Sequence, residues 1–215
     1  PCGQGGAGHD PVAPRAALEA VNDPWVDALV GIGASLGPRR AHLRLAVAAL
    51  SADRSTVVRR VSRMVWSRGI GPAKGPFLNG VVRLRTQRSA TGLLELCKAI
   101  EQRLRRRPSH RWGDRAVDLD VLLWHEQVVD LPHLVVPHTE MLARRFVMVP
   151  AKEVAGDLLH PTTGLRLDAL PLPPGMRVWR ASGVGGRLAG LRRVRYGAAP
   201  RRCAGDRPVP CGGPP

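Results

Sequence analysis

Aromatic residues are scarce in this chain. Phenylalanine occurs twice and tyrosine once, and all aromatics together make up 4% of 215 residues. Proteins that read single strands of nucleic acid on a sheet stack bases on aromatic side chains. That composition, with no RNP-type Gly-Phe motif, weighs against such a function. Long apolar runs are also missing. None approaches the ~18 or more residues of a membrane-spanning helix, although 44% of the residues are hydrophobic. The four cysteines (Cys2, Cys97, Cys203, Cys211) show no metal-ligand spacing and three lie near the ends. A zinc ribbon and a disulfide framework are thereby disfavoured, and a reducing cytoplasm fits. The opening Pro1-Cys2-Gly3-Gln4-Gly5-Gly6 has no apolar core, so no secretory leader is expected. Acidic residues are few, 17 against 33 Lys and Arg, for a net charge of +16. Nine arginines from Pro171 onward face one acid, Asp206, so half of that excess lies in the last 45 residues. A charge of this size attracts polyanions.

What is present is one informative stretch, Arg111-Trp112-Gly113-Asp114-Arg115-Ala116-Val117-Asp118-Leu119-Asp120-Val121-Leu122-Leu123-Trp124. Its second half reads as a strand. At a period of two, Val117, Leu119, Val121 and Leu123 share one face, and Asp118, Asp120, Leu122 and Trp124 the other. Two carboxylates side by side repel, and each raises the other's pKa. A hard divalent cation such as Mg²⁺ relieves that repulsion, and it commonly binds one or two carboxylates together with substrate phosphates. Arg111 and Arg115 stand just upstream, suited to phosphate oxygens. A bare Asp-x-Asp is more often a solvated strand face. The apolar neighbours and the adjoining basic cluster favour a metal–phosphate site here.

The rest of the chain divides into three. Residues 1–24, rich in Gly, Pro and Ala, read as a lead-in, residues 25–170 as the folded domain, and residues 171–215 as an Arg/Gly/Pro-rich tail without packing. In the domain, Ala28–Gly33 reads as a buried strand, and a small-residue turn leads to an amphipathic helix over about 38–51. Thr56 to Trp66 is expected as a second strand, followed by a Gly/Pro-rich loop and a third strand from Phe77 to Leu84. A second helix opens near Thr91, capped by Ser89 or Thr91, and ends in the basic run Arg103 to Arg107. After the signature strand, Gln127–Leu131 is expected to pair back with it as a hairpin. Thr139 is expected to cap a last helix running to Pro150. Strand–helix–strand–strand–helix–strand suits an α+β sandwich of ferredoxin-like order, mainly antiparallel, with helices packed on the sheet.

Several of these segments together resemble the 6-hydroxymethyl-7,8-dihydropterin pyrophosphokinase family of the folate pathway. The signature stretch matches Arg-Trp-Gly-Pro-Arg-x-x-Asp-[aliphatic]-Asp, with Asp114 in place of the proline. Phe77-Leu78-Asn79-Gly80-Val81, Ile100-Glu101, and Pro137-His138 with Met141, Arg144, Phe146-Val147 and Pro150 fall in the family's register. Departures occur at Ala34-Ser35, Ser67-Arg68-Gly69 and Arg105. The resemblance implies ATP-dependent pyrophosphoryl transfer to the hydroxymethylpterin with release of AMP, with two Mg²⁺ ions assigned to Asp118 and Asp120; a cytoplasmic monomer is expected. It implies that Arg106 and Arg115 act with these aspartates in catalysis. Ile70, Phe77, Asn79 and Phe146 would bind pterin, the two rings stacking on it and the amide meeting its edge. Glu101, Arg111, Trp112, His138 and Arg144 would bind ATP. The alternatives are a basic ferredoxin-like module that binds nucleic acid, and a homologue that has lost catalysis.

Overall fold

The computed structural model describes residues 24–69, 76–104, 116–175 and 177–181. Its centre is strand β1 (Val26–Ala34), every residue of which is buried or half-buried. β1 lies between β4 (Phe77–Thr86) and β5 (Asp118–Trp124), antiparallel to both. The outer side of β4 carries β2 (Thr56–Val61) and β3 (Val65–Ser67), also antiparallel, so the stretch expected as one strand from Thr56 to Trp66 is two. This is the antiparallel order anticipated for the α+β sandwich. The sheet continues to β8 (Trp179–Arg180), paired with β3, beyond the boundary expected at residue 170.

Parity along β1 sets the layers. Ala28, Val30, Ile32 and Ala34 face one side, where they pack with Leu43, Ala46, Val47 and Leu50 of helix α1 (Arg39–Ala52) and Leu93, Cys97 and Ile100 of α2 (Ala90–Arg103). Both helical sets recur every three to four residues, as one apolar stripe requires. Leu29 faces the other side and packs with Met148, Ala151 and Val154 of α3 (Arg145–Ala155). Truncating a fully buried leucine such as Leu29 or Leu43 to alanine would cost about 2–5 kcal/mol. Ser89 caps α2, its hydroxyl accepting the Gly92 N–H at 3.1 Å, a contact worth about 1 kcal/mol.

Three further expectations are corrected. The period-two reading of the signature strand fails after Val121. Leu29 pairs with Leu123 and Val30 with Val121, so Leu122 is an extra residue in the ladder. This irregularity turns Leu123 into the α3 layer beside Leu122 rather than leaving it with Leu119 and Val121. Next, residues 127–131 do not pair with β5. β6 (Val129–Leu131) and β7 (Leu134–Val136) form their own two-stranded sheet, reached by a turn in which His125 has φ 53°. Finally, Thr139 does not cap α3. Residues 139–143 form turns over the buried Met141, whose N–H bonds the His138 carbonyl at 2.8 Å, and the helix starts at Arg145.

Candidate active site

On the α3 side of the sheet, the ends of β1, β4 and β5 leave a cleft of about 340 Å³. Its floor contains Gly31 and Gly33 of β1. A Cβ on Gly33 would stand 3.2 Å from Asn79 Oδ1, and one on Gly31 would stand 3.4 Å from the Leu122 side chain. In the ladder, Gly31 pairs with Asp120 and Gly33 with Asp118. Each aspartate therefore neighbours a residue with no side chain to cover it, and both line the cleft.

Burial pushes the Asp120 carboxyl above the usual carboxylate range, and the charge of Asp118 adds to the effect. A cation would reverse both. The donor set, carboxylate oxygen from two adjacent positions, is what a hard divalent ion accepts. Among the described residues no group of three or more His, Cys, Asp or Glu gathers to make an all-protein metal cage. Mg²⁺ seldom uses one when phosphates supply the remaining oxygens.

One wall is Phe77 and Asn79 of β4 with Ser67 and Arg68. Asn79 donates its amide to Ser67 Oγ at 2.9 Å and to the Phe77 carbonyl at 3.4 Å. Its donors are used within the protein, and its acceptor Oδ1 lies over Gly33. A second part of the lining is Arg144, Phe146 and Val147, at the start of α3. The Arg144 guanidinium sits 5.9 Å from the centre of the Phe146 ring and 3.8 Å from the Glu140 carboxylate. His138 is anchored through its backbone N–H to the Leu122 carbonyl at 3.0 Å, and its Nδ1 accepts the Glu140 N–H at 3.1 Å. A neutral imidazole held this way carries its proton on Nε2.

The fold thus gathers seven residues singled out in the sequence around one cleft: Phe77, Asn79, Asp118, Asp120, His138, Arg144 and Phe146. Glu101 is placed elsewhere. Its carboxylate is buried on the α2 side, accepts the Leu119 N–H at 2.7 Å and pairs with Lys98 at 3.2 Å. Ile70, Arg106, Arg111, Trp112 and Arg115 lie outside the described residues. Sequence reasoning did not single out Gly31, Gly33, Leu122, Thr139 or Glu140 as lining residues. The Gly-x-Gly spacing in β1 was the available signal, since period two puts both glycines on one face.

A family model described as 7,8-dihydro-6-hydroxymethylpterin-pyrophosphokinase (HPPK) matches residues 29–156. The chain belongs to that family. Among the relatives of this pyrophosphokinase are three enzymes named 2-amino-4-hydroxy-6-hydroxymethyldihydropteridine pyrophosphokinase. That of Pseudomonas aeruginosa is 41% identical over 61% of this chain and 82% of its own length. The Bacillus subtilis enzyme is 35% identical over 73% and 93%, and the Synechocystis enzyme 34% identical over 70% and 83%. The fold is shared with a crystal structure of an HPPK-DHPS protein in complex with substrates. The TM-score is 0.56 at 10% identity, covering 68% of this chain and 43% of that one. The pyrophosphokinase carries out the family's reaction, pyrophosphoryl transfer from ATP to a hydroxymethyldihydropterin in folate biosynthesis. No helix among its described residues is long and apolar enough to cross a membrane.

Proposed function

We propose that the cleft holds reduced pterin and ATP together, with two Mg²⁺ ions on Asp118 and Asp120. The observation that carries this reading is the shared cleft itself: both aspartates, both phenylalanines, Asn79, His138 and Arg144 line it. The two phenylalanines of the lining are assigned to the flat bicyclic ring, where stacking would add to apolar burial. Asn79 offers Oδ1 to a ring N–H, because Ser67 and the Phe77 carbonyl take its own donors. The pterin hydroxyl then attacks the β-phosphorus of ATP in line with the departing AMP, a reaction that asks chiefly for positioning and charge neutralisation. The ions, when bound, neutralise the triphosphate and acidify the attacking hydroxyl.

His138 donates Nε2–H to a phosphate oxygen, and Arg144 pairs with phosphate, its position steadied over Phe146. Arg106 and Arg115 are assigned to the transferring phosphates, Arg111 and Trp112 to ATP, and Ile70 to the pterin, on their match to the family's motif. The cysteine pattern supports a reducing cytoplasm, and we assign the working unit as a monomer. The test is AMP release from ATP, Mg²⁺ and 6-hydroxymethyl-7,8-dihydropterin. The full chain should turn over, and Asp118→Ala and Asp120→Ala should abolish turnover with the fold intact. A folded full chain that releases no AMP would overturn the proposal and favour a homologue disabled by its departures at Ala34, Ser35, Ser67, Gly69, Arg105 and Asp114.

A further inference from the structure

The family match stops at residue 156, but the chain returns to both walls of the cleft afterwards. Arg145, the first residue of α3 and the neighbour of Phe146, donates Nη1 to the Pro173 carbonyl at 3.2 Å. Farther on, the Ala181 N–H donates to the Met64 carbonyl at 3.1 Å, and β8 pairs with β3, Val65 opposite Arg180 and Trp66 opposite Trp179. β3 is three residues long, and its inner side pairs with Phe77, Leu78 and Asn79. So short a strand at a sheet edge opens readily unless its outer N–H and C=O groups are engaged. β8 engages them. Ser67, the last residue of β3, lines the cleft and accepts the Asn79 amide. Met64, just before β3, sets its sulfur against Gly80, where a Cβ would stand 2.7 Å from it.

We infer that residues 173–175 and 177–181 strap the two walls of the pterin slot, and that the β8 end, whose hydrogen bonds reach β3 and not Arg144, sets affinity for the pterin rather than for ATP. One end holds the helix that carries Phe146. The other holds the strand whose Ser67 orients Asn79. Asp118, Asp120 and His138 are carried by β5 and by the segment after β7, which the strap's hydrogen bonds do not reach among the described residues. The inference rests on the reading of this slot as a pterin site.

Three chains test it. One ends at Gly175 and loses β8, one ends at Val184 and keeps it, and the full chain with Ala181→Pro loses only the N–H given to Met64. The Gly175 chain and Ala181→Pro should raise the KM for the reduced pterin roughly five-fold. The pterin Kd, taken with a non-hydrolysable ATP analogue present, should rise alike. The Kd for that analogue and the melting temperature should barely move, and the Val184 chain should match the full chain. Unchanged pterin affinity in the Gly175 chain, an equal loss of nucleotide affinity, or a loss in the Val184 chain would each overturn the strap. A full chain without turnover would count instead against the pyrophosphokinase assignment of the site, because the ratio of pterin Kd values still reads the strap.

Discussion

The Glu101 carboxylate accepts the backbone N–H of Leu119 at 2.7 Å. Leu119 is the residue between Asp118 and Asp120, so a buried side chain on α2 holds the strand that presents both acids to the opposite layer. Lys98, 3.2 Å away, partly balances the charge.

Glu101→Leu should therefore destabilise the protein by about 1–3 kcal/mol, the cost of leaving a buried N–H without its acceptor. It should also raise the Mg²⁺ concentration needed for half-maximal rate. Glu101→Gln keeps an acceptor oxygen and should retain most of both properties. Urea melts and Mg²⁺ titrations measure these two effects. If Glu101→Gln lost ATP binding selectively, a direct role at the nucleotide would be restored.

Asp120→Asn should abolish turnover yet raise the melting temperature of the metal-free protein at neutral pH. The sign follows from linkage. The folded protein holds the Asp120 proton more tightly than the unfolded chain does, through burial and then Asp118. Stability is therefore lost as pH rises from the ordinary carboxylate value through the raised one, so at neutral pH the folded protein bears a cost that the unfolded chain does not. Removing the charge removes that cost. A lower melting temperature for Asp120→Asn would contradict the raised pKa.

Gly33→Ala should disturb pterin use more than ATP use. The new Cβ would stand 3.2 Å from Asn79 Oδ1, so the amide must give way. A several-fold rise in pterin KM with little change in ATP KM is expected from steady-state kinetics. Equal rises would place Gly33 outside pterin recognition.

Acid should weaken the fold through His160. The residue is 3% exposed, and neither ring nitrogen meets a hydrogen-bond partner among the described residues. Burial depresses its pKa below the ordinary 6.5. Above that value the ring is neutral in both states and stability is full. Below it the unfolded chain takes up a proton that the folded ring resists, so stability falls until the depressed folded value is reached. His160→Leu should flatten that part of the stability–pH curve. An unchanged slope would show that other groups cause the loss.

Local pattern alone determined much of this protein. Apolar spacing placed β1, α1, β4 and α2 nearly where they are, because 2.0 and 3.6 residues per repeat leave distinct marks. Asp118 and Asp120 were legible as a pair because their spacing puts them on one face of a strand. Phe77 and Asn79 shared a face for the same reason, and the motif match supplied the enzyme family. Tertiary structure decided what periodicity does not encode. The extra residue at Leu122 depends on how β5 meets β1, and it turned Leu123 to the other layer. Glu101 looked like a nucleotide ligand in the chain, but packing buried it behind the strand, against Leu119. β8 offered only two residues of local signal in an arginine-rich stretch. It exists because β3 presents an unpaired edge, and an edge can be satisfied only by a segment that the rest of the fold brings to it.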